Sequence, residues 1–478
     1  MKVLMFGWEF PPHISGGLGT ACFGLTQSLV DQDVKVLFVA PRLYGDEPGN
    51  DVQLVNASDI TIETDARTQR ASPIQKTKLQ SSVSTRGSDA KRLKRVSTPG
   101  DSDRKLTHIQ APVALSPYDT PENHNNSKPL TAWNYTFPAG ANHAATEESR
   151  QEEGGKSSEG KSPGTRYRFS GTYAHNLLEE VERYAAVARI VSARYKFDVI
   201  HVHDWMTFPA GIAAKKVSGK PLVAHVHSTE FDRSGDKINA AIFDIEKKGM
   251  VECDAIIAVS NWTKDILVSR YGIEETKVTV IHNGIIPREQ REEFDFPDFA
   301  SHFVTFLGRV THQKGPRFFV EAAARVLQEF PDAHFIVAGA GDLLPQMIER
   351  VAQLNMSGNF HFTGFLSGEQ VDQVWSMTDV YVMPSVSEPF GIAPLEAIQG
   401  GVPVILSNQS GVSEVMPHAI KVDFWDVKAL AGAICSVLRY ESLSHVLRQN
   451  SRQHIRHLTW NKAASNVKTL YNEVTGKK

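Results

Sequence analysis

Cysteine is scarce in this sequence. Only Cys22, Cys253 and Cys435 occur in 478 residues. They lie too far apart for a metal-binding cluster, and their number excludes a disulfide-built scaffold. They read as reduced thiols, and the expected compartment is the cytosol. Long hydrophobic runs are missing too. No stretch approaches the roughly 20 apolar residues that a membrane-crossing helix needs, so no integral membrane segment is expected. Met1–Gly7 is apolar apart from Lys2. Glu9 follows too soon for a secretory signal. An excess of either charge is also lacking: 51 Lys and Arg stand against 54 Asp and Glu, a formal net charge of -3. Nothing global therefore attracts nucleic acid or an anionic membrane, and no nucleic-acid partner is expected. What is left is a globular composition, 41% hydrophobic, in a chain long enough for two or three cored domains.

The most informative stretch is Val380–Leu406, VYVMPSVSEPFGIAPLEAIQGGVPVIL. The apolar run Val380–Met383 predicts a buried strand. A loop follows. Pro394 suits the first turn of a helix, because that N–H has no helical partner. Gly400 and Gly401 end the helix. Val402–Leu406 predicts the next strand. Such a unit belongs in a parallel sheet, where ligands sit at the loop ends of the strands. Glu388, in the loop, and Glu396, in the first helical turn, are spaced E-x7-E. Phosphate is favoured at a helix N-terminus. Hydroxyl-binding carboxylates beside such a turn suggest a sugar carrying a nucleotide diphosphate. The structural alternative makes Glu396 a first-turn acid favoured by the helix dipole and Glu388 a solvated loop residue.

The rest of the chain alternates in the same way. Lys2–Phe6 predicts a strand. GWEFPPHISGGLGT follows, then a helix to about Val30 and a strand over Val34–Ala40. Gly16, Gly17 and Gly19 either bring backbone N–H groups to a phosphate or make a tight connection. From about Thr64, Ser, Thr, Lys, Arg, Asn and Gly dominate. Disorder is expected over about 65–107 and 122–165, where too little apolar surface is available to offset ordering entropy. The segment 111–122 between them is better packed. The basic run KRLKR (91–95) is either a nucleic-acid or targeting patch or a solvated cluster. Order returns at Tyr173 with a helix. Strands over Asp198–Val202, Pro221–His225, Ala255–Val259 and Val278–Ile281 follow, with helices between them. After Asn283-Gly284 the alternation restarts with strands His302–Leu307, Ala333–Ala338 and Asn359–Thr363. The tail beyond about Trp460 is helical. The pattern specifies an α/β fold of parallel sheets with helices on both faces, and its restart specifies a second doubly wound domain.

Three other strand ends carry candidate site residues. In HVHDW (201–205), His201 and His203 share a face. Asp204 cannot join both on one ion, because successive side chains of a strand point to opposite faces. HVHSTEFDR (225–233) offers His227, Glu230 and Arg233. The last two are either sugar contacts or an i,i+3 ion pair. GRVTHQKG (308–315) carries Arg309 and Lys314. Breaking a sugar–diphosphate bond leaves negative charge on the departing nucleotide. Arg forks across two phosphate oxygens and Lys adds a point charge. The alternative is a solvated basic loop. Many enzymes instead hold a metal with an Asp-x-Asp. Asp31–Asp33 lies at the end of the sheet away from the expected cleft and Asp101–Asp103 in the low-complexity insert, so no catalytic metal is expected.

SEPFGIAPLEA (387–397), GGL (16–18), HDW (203–205) and the Arg309…Lys314 pair together resemble retaining GT-B glycosyltransferases. The likeness is to glycogen/starch synthases and their family 4 relatives, and it covers roughly 1–60 and 170–465. It implies an N-terminal, acceptor-side Rossmann-like domain (1–284) with an insert at about 65–165. A nucleotide-sugar domain (285–462) and a final helix crossing back to the first domain (463–478) complete it. It implies that Arg309 and Lys314 carry the donor diphosphate, Glu388 the sugar hydroxyls and Glu396 the ribose. Gly16, Gly17, Gly308, Phe390, Gly391 and Ile392 are further donor contacts by this resemblance, and His203 is the active-site histidine. Asp204, His227, Glu230 and Arg233 fall to the sugar or acceptor. SGVSE (410–414) is similar to the family's glycine loop. The implied reaction is front-face transfer from a nucleotide sugar to a glycan, without metal or cofactor, the leaving phosphate taking the acceptor's proton. HDW, GGL and EPFG together tilt the acceptor toward an α-glucan and the sugar toward glucose. The chain departs from the pattern at Ile14, Met206, Ile285-Ile286 and Val412. The rival readings are a lipid-linked or exopolysaccharide acceptor, a catalytically silent scaffold using the basic insert, and, less favoured, a GT-B-fold sugar epimerase or phosphorylase.

Overall fold

The computed structural model describes residues 1–12, 16–48, 51–62, 165–171, 173, 176–286 and 302–477. The expectations for 65–107, 111–122 and 122–165, for KRLKR, for Asp101–Asp103 and for Ile14 lie outside the described residues. Contacts divide the chain into one unit of 1–61, 115–120 and 166–478 and another of 62–114 and 121–165. Of the latter, only Ile62 and Thr165 are described.

Two parallel sheets organise the first unit. One has seven strands, in the spatial order Gln53–Asn56, Lys35–Ala40, Lys2–Phe6, Val199–His203, Leu222–Val226, Ala255–Ala258, Val278–Val280. The other has six, in the order Phe360–Gly364, Ala333–Ala338, His302–Leu307, Val380–Met383, Val404–Ser407, Ile420–Val422. The central strands are buried along nearly their whole length. A parallel sheet covered by helices on both faces demands this, so its strands read as continuous apolar runs instead of alternating ones. That is why the central strands are predictable from sequence. The edge strands Gln53–Asn56 and Ile420–Val422 are not. They are short, mix polar with apolar residues and are only partly buried, since an edge has one neighbour.

In each sheet the strand order reverses between the first strand and the fourth. The loops after those two strands turn opposite ways and leave a crevice at the carboxyl ends. In the first sheet these loops hold GWEFPP and HDW; in the second they hold GRVTHQKG and PSVSEPFG.

The final helix, Trp460–Thr475, packs into the core of the first sheet. Trp460, Ala464, Val467 and Tyr471 share a cluster with Val3, Met5, Leu25 and Val36. Gly24 permits this approach: a Cβ there would lie 2.4 Å from the Trp460 indole nitrogen. Ala is a better helix former than Gly by about 1 kcal/mol, but overpacking against a buried ring costs about 1–3 kcal/mol. Gly24→Ala is therefore expected to lower the urea unfolding midpoint, and Gly24→Val to lower it further.

Candidate active site

The two basic residues of GRVTHQKG meet the carboxylate of SEPFG. The strand His302–Leu307 ends at Gly308, and a single 3-10 turn, His312–Lys314, presents the lysine. Gly315, at φ 66, ends this turn. A Cβ there would stand 2.0 Å from the Pro384 carbonyl, so only glycine lets the two loops touch. Lys314 Nζ consequently donates to Glu388 Oε2. Ser385 donates to the same oxygen at 3.4 Å. Arg309 donates to Gln313 at 3.1 Å, which holds the guanidinium beside the turn. A cationic pair and a carboxylate thus converge at the carboxyl ends of the two strands that flank the crevice.

The rest of the SEPFG loop is a frame for Glu388. The Glu388 N–H donates to Gln409, and its carbonyl accepts from Gly411 at 2.8 Å. Phe390 is 2% exposed within an apolar cluster, and Ile392 packs against the cores of both sheets. Their side chains pack into the core, so any donor contact from these two positions is made by their backbone groups. Gly391, at φ 95, makes the bend that brings the loop to the helix Ala393–Gln399. Pro394 falls in that helix's first turn and Glu396 is partly buried within it. Hydrogen bonds draw this loop against the first sheet's loops: Ser387 Oγ donates to Asp232 at 2.6 Å and Trp262 Nε1 to Ser387 Oγ at 3.1 Å. Glu414, from SGVSE, accepts the N–H groups of Asn261 and Trp262 at 2.9 and 2.7 Å.

On the first sheet, the helix Gly17–Val30 begins at the glycine-rich turn, with Gly16 as its cap. Gly16 and Gly17 are exposed, and a Cβ on Gly17 would meet nothing within 4 Å. The turn is anchored by Glu9, which is 6% exposed. Its carboxylate accepts from the Gly19 N–H at 2.9 Å and from the Tyr173 hydroxyl. Burial pushes its pKa up to about 7, although the Gly19 and Gly16 N–H groups and the Arg309 guanidinium pull it down. A carboxyl raised in this way is protonated in the folded chain where the unfolded chain has released its proton. Stability therefore falls as pH rises from about 4.5 to about 7, by up to ~3 kcal/mol. Glu9→Gln is expected to remove that part of the slope, read as urea midpoints at about pH 5 and about pH 8.

The HDW and HSTEFDR ends differ most from expectation. His203 is fully buried, and its Nδ1 faces His227 Nε2 at 2.9 Å. His227 is only partly buried, so the ring open toward solvent at this strand end is His227, with His203 behind it. Burial drives the pKa of His201 and His227 down to about 3 and those of His203 and His225 well below the usual histidine value. All four are neutral at physiological pH. Asp204, at φ 57, turns its carboxylate to the N–H groups of His227 and Ser228 at 2.6 and 3.3 Å. It ties two loops together. Glu230 and Arg233 take the ion-pair arrangement. They form the i,i+3 pair at 3.2 Å with side chains 4% and 1% exposed, and Arg233 also binds Glu246. Among the described residues, Asp31 caps a helix and Asp33 sits in the turn before Lys35–Ala40, at the amino end of the sheet and far from these loops in the topology.

Glu9, His225, Gln313 and Glu414 were not singled out as site residues by sequence reasoning. Glu9 had a signal, an acid set in an otherwise apolar stretch directly after a strand. His225 had one as well, the repeated His-x-His on the next strand. Gln313 and Glu414 had none, because their roles depend on partners brought in by the fold.

Two doubly wound parallel domains form the GT-B architecture, with Arg309, Lys314 and Glu388 at the carboxyl ends of the second sheet. Comparison agrees. Residues 148–289 match the family model for Glycosyltransferase Family 4, and residues 289–454 that for Glycosyl transferases group 1. An uncharacterized glycosyltransferase of Methanocaldococcus jannaschii is 33% identical over 52% of this chain and 66% of its own length. A glycogen synthase of Mycobacterium tuberculosis is 26% identical over 57% of this chain and 68% of its own. The solved structure of sucrose-phosphate synthase from Thermosynechococcus elongatus superposes with a TM-score of 0.64 at 15% identity, covering 100% of both chains. The chain has the GT-B fold, and its residues 148–289 and 289–454 match glycosyltransferase family models. No helix among the described residues is long and apolar enough to cross a membrane.

Proposed function

We propose that the chain transfers a sugar, glucose in the first instance, from a nucleotide diphosphate to the non-reducing end of an α-glucan with retention of configuration. The observation that carries this reading is the meeting of Lys314 with Glu388, beside Arg309. In the proposed reaction Arg309 and Lys314 take the charge that develops on the departing diphosphate. Glu388 exchanges its lysine for sugar hydroxyls as the donor enters. Glu396 holds the ribose, and the exposed turn at Gly16 and Gly17 lines the opposite wall. His227, backed by His203, contacts the sugar. The acceptor hydroxyl attacks from the face the nucleotide leaves, and the leaving phosphate oxygen takes its proton. No metal enters the step and no cofactor is required. Support for the glucan acceptor comes from HDW, GGL and EPFG and from the glycogen synthase among the relatives.

The test is nucleotide release from UDP-glucose and ADP-glucose by purified protein, each with and without glycogen and in EDTA. Glycogen-dependent release that survives EDTA is the expected result, and it names the base. Nucleotide binding without glycogen-dependent turnover would move the acceptor to a lipid-linked or other glycan. Failure to bind either donor would overturn the roles of Arg309, Lys314 and Glu396.

A further inference from the structure

Three buried imidazoles stand together behind the ring of His227. His201 and His203 lie two residues apart on one strand and so share a face of the sheet. His225, on the neighbouring strand, is in register with His203. All three are at most 2% exposed. Their ring centroids are 4.4 Å apart for His201 and His203, and 5.3 Å from each of these to His225. One ring nitrogen from each lies within 4.8 Å of those of the other two. His201 uses Nδ1 on the Tyr471 hydroxyl at 2.5 Å, and His203 uses Nδ1 on His227 at 2.9 Å. Nε2 of His201, Nε2 of His203 and both nitrogens of His225 have no hydrogen-bond partner.

We propose that His201, His203 and His225 bind a divalent transition-metal ion, with zinc the expected occupant. Neutral imidazole is a preferred ligand of such ions, and three histidines form a known type of zinc site whose fourth position is open. Tetrahedral Zn–N bonds of about 2.0–2.1 Å put ligand nitrogens about 3.3 Å apart. Binding requires side-chain rotations that bring nitrogens now within 4.8 Å of one another closer by up to about 1.5 Å. The outer contacts have the expected form as well. A ligating histidine is held by a hydrogen bond at its other nitrogen, and Tyr471 and His227 supply this for His201 and His203. The ion is structural. It joins two adjacent strands and, through Tyr471, fixes the final helix to the sheet. It lies among the buried rings behind His227, away from the donor diphosphate, so metal-independent transfer is unaffected. The competing explanation is ordered water bridging the free nitrogens.

The experiment is metal analysis of the purified full-length chain after gel filtration in EDTA. Cobalt(II) titration of protein stripped with a stronger chelator follows. One zinc ion per chain is expected, with a tetrahedral cobalt spectrum that saturates at one equivalent and is displaced by zinc. His225→Gln should abolish the spectrum. Tyr471→Phe keeps all three ligands and should weaken zinc affinity about tenfold to a hundredfold. If His225→Gln does not fold, wild type and Tyr471→Phe still decide the matter. Substoichiometric zinc together with no cobalt spectrum in the wild type would overturn the proposal, as would an identical titration in wild type and both variants. Neither readout uses transferase activity, so this proposal fails or stands independently of the transfer reaction.

Discussion

Lys314→Met is expected to lower kcat/KM for the nucleotide sugar by about a hundredfold to a thousandfold, the usual effect of removing one donor aimed at developing charge. Before donor binds, Lys314 is paired with Glu388, and its side chain is 20% exposed. The fold has thus already placed the ammonium at the crevice and removed much of its water. In the proposed transfer, charge on the diphosphate grows as the glycosidic bond breaks, so the lysine is worth more in the transition state than in the bound donor. Most of the loss should appear in kcat and less in KM. Lys314→Arg keeps the charge but changes its shape, and should recover part of the rate. A Lys314→Met enzyme within a few-fold of wild type would place the leaving-group charge elsewhere.

Arg233→Met is expected to cost about 3–5 kcal/mol of stability, the effect of breaking a buried pair from one side. Arg233 is set between Glu230 and Glu246, and all three side chains are at most 4% exposed. Glu246 also accepts from the Tyr271 hydroxyl and the Glu230 N–H, and Glu230 from Ser234 and the Asn239 N–H. Without the guanidinium two buried carboxylates face each other. Burial already raises the pKa of Glu246, and losing Arg233 raises it further. The urea midpoint should fall steeply while KM of the remaining folded enzyme is unchanged. A sugar contact would behave the opposite way, with KM raised and the midpoint held.

These two residues mark where sequence reading stops. Both sit at strand ends that the sequence identifies, and both are basic residues in a motif. Lys314 turns to the crevice because Gly315 lets its loop touch Pro384. Arg233 turns inward because Glu246, thirteen residues further on, comes back against it. Nothing local distinguishes the cases. The same applies to the histidines. Period-two spacing puts His201 and His203 on one face, but only strand pairing brings His225 beside them. Pairing also leaves His203 buried and His227 open.

The amino-acid sequence by itself determined what depends on neighbours along the chain. That includes the buried central strands, the Gly and Pro positions that end helices, the two doubly wound sheets and the loops that lead into each crevice. Continuous apolar runs and turn residues act over a few positions, so they are visible without the fold. Only the tertiary structure decided which polar side chain meets which. Lys314 and Glu388 are 74 positions apart, and His201 and Tyr471 are 270 apart. A buried charge or imidazole takes its role from the partner that replaces its lost water, and that partner arrives from another strand or helix when the chain packs.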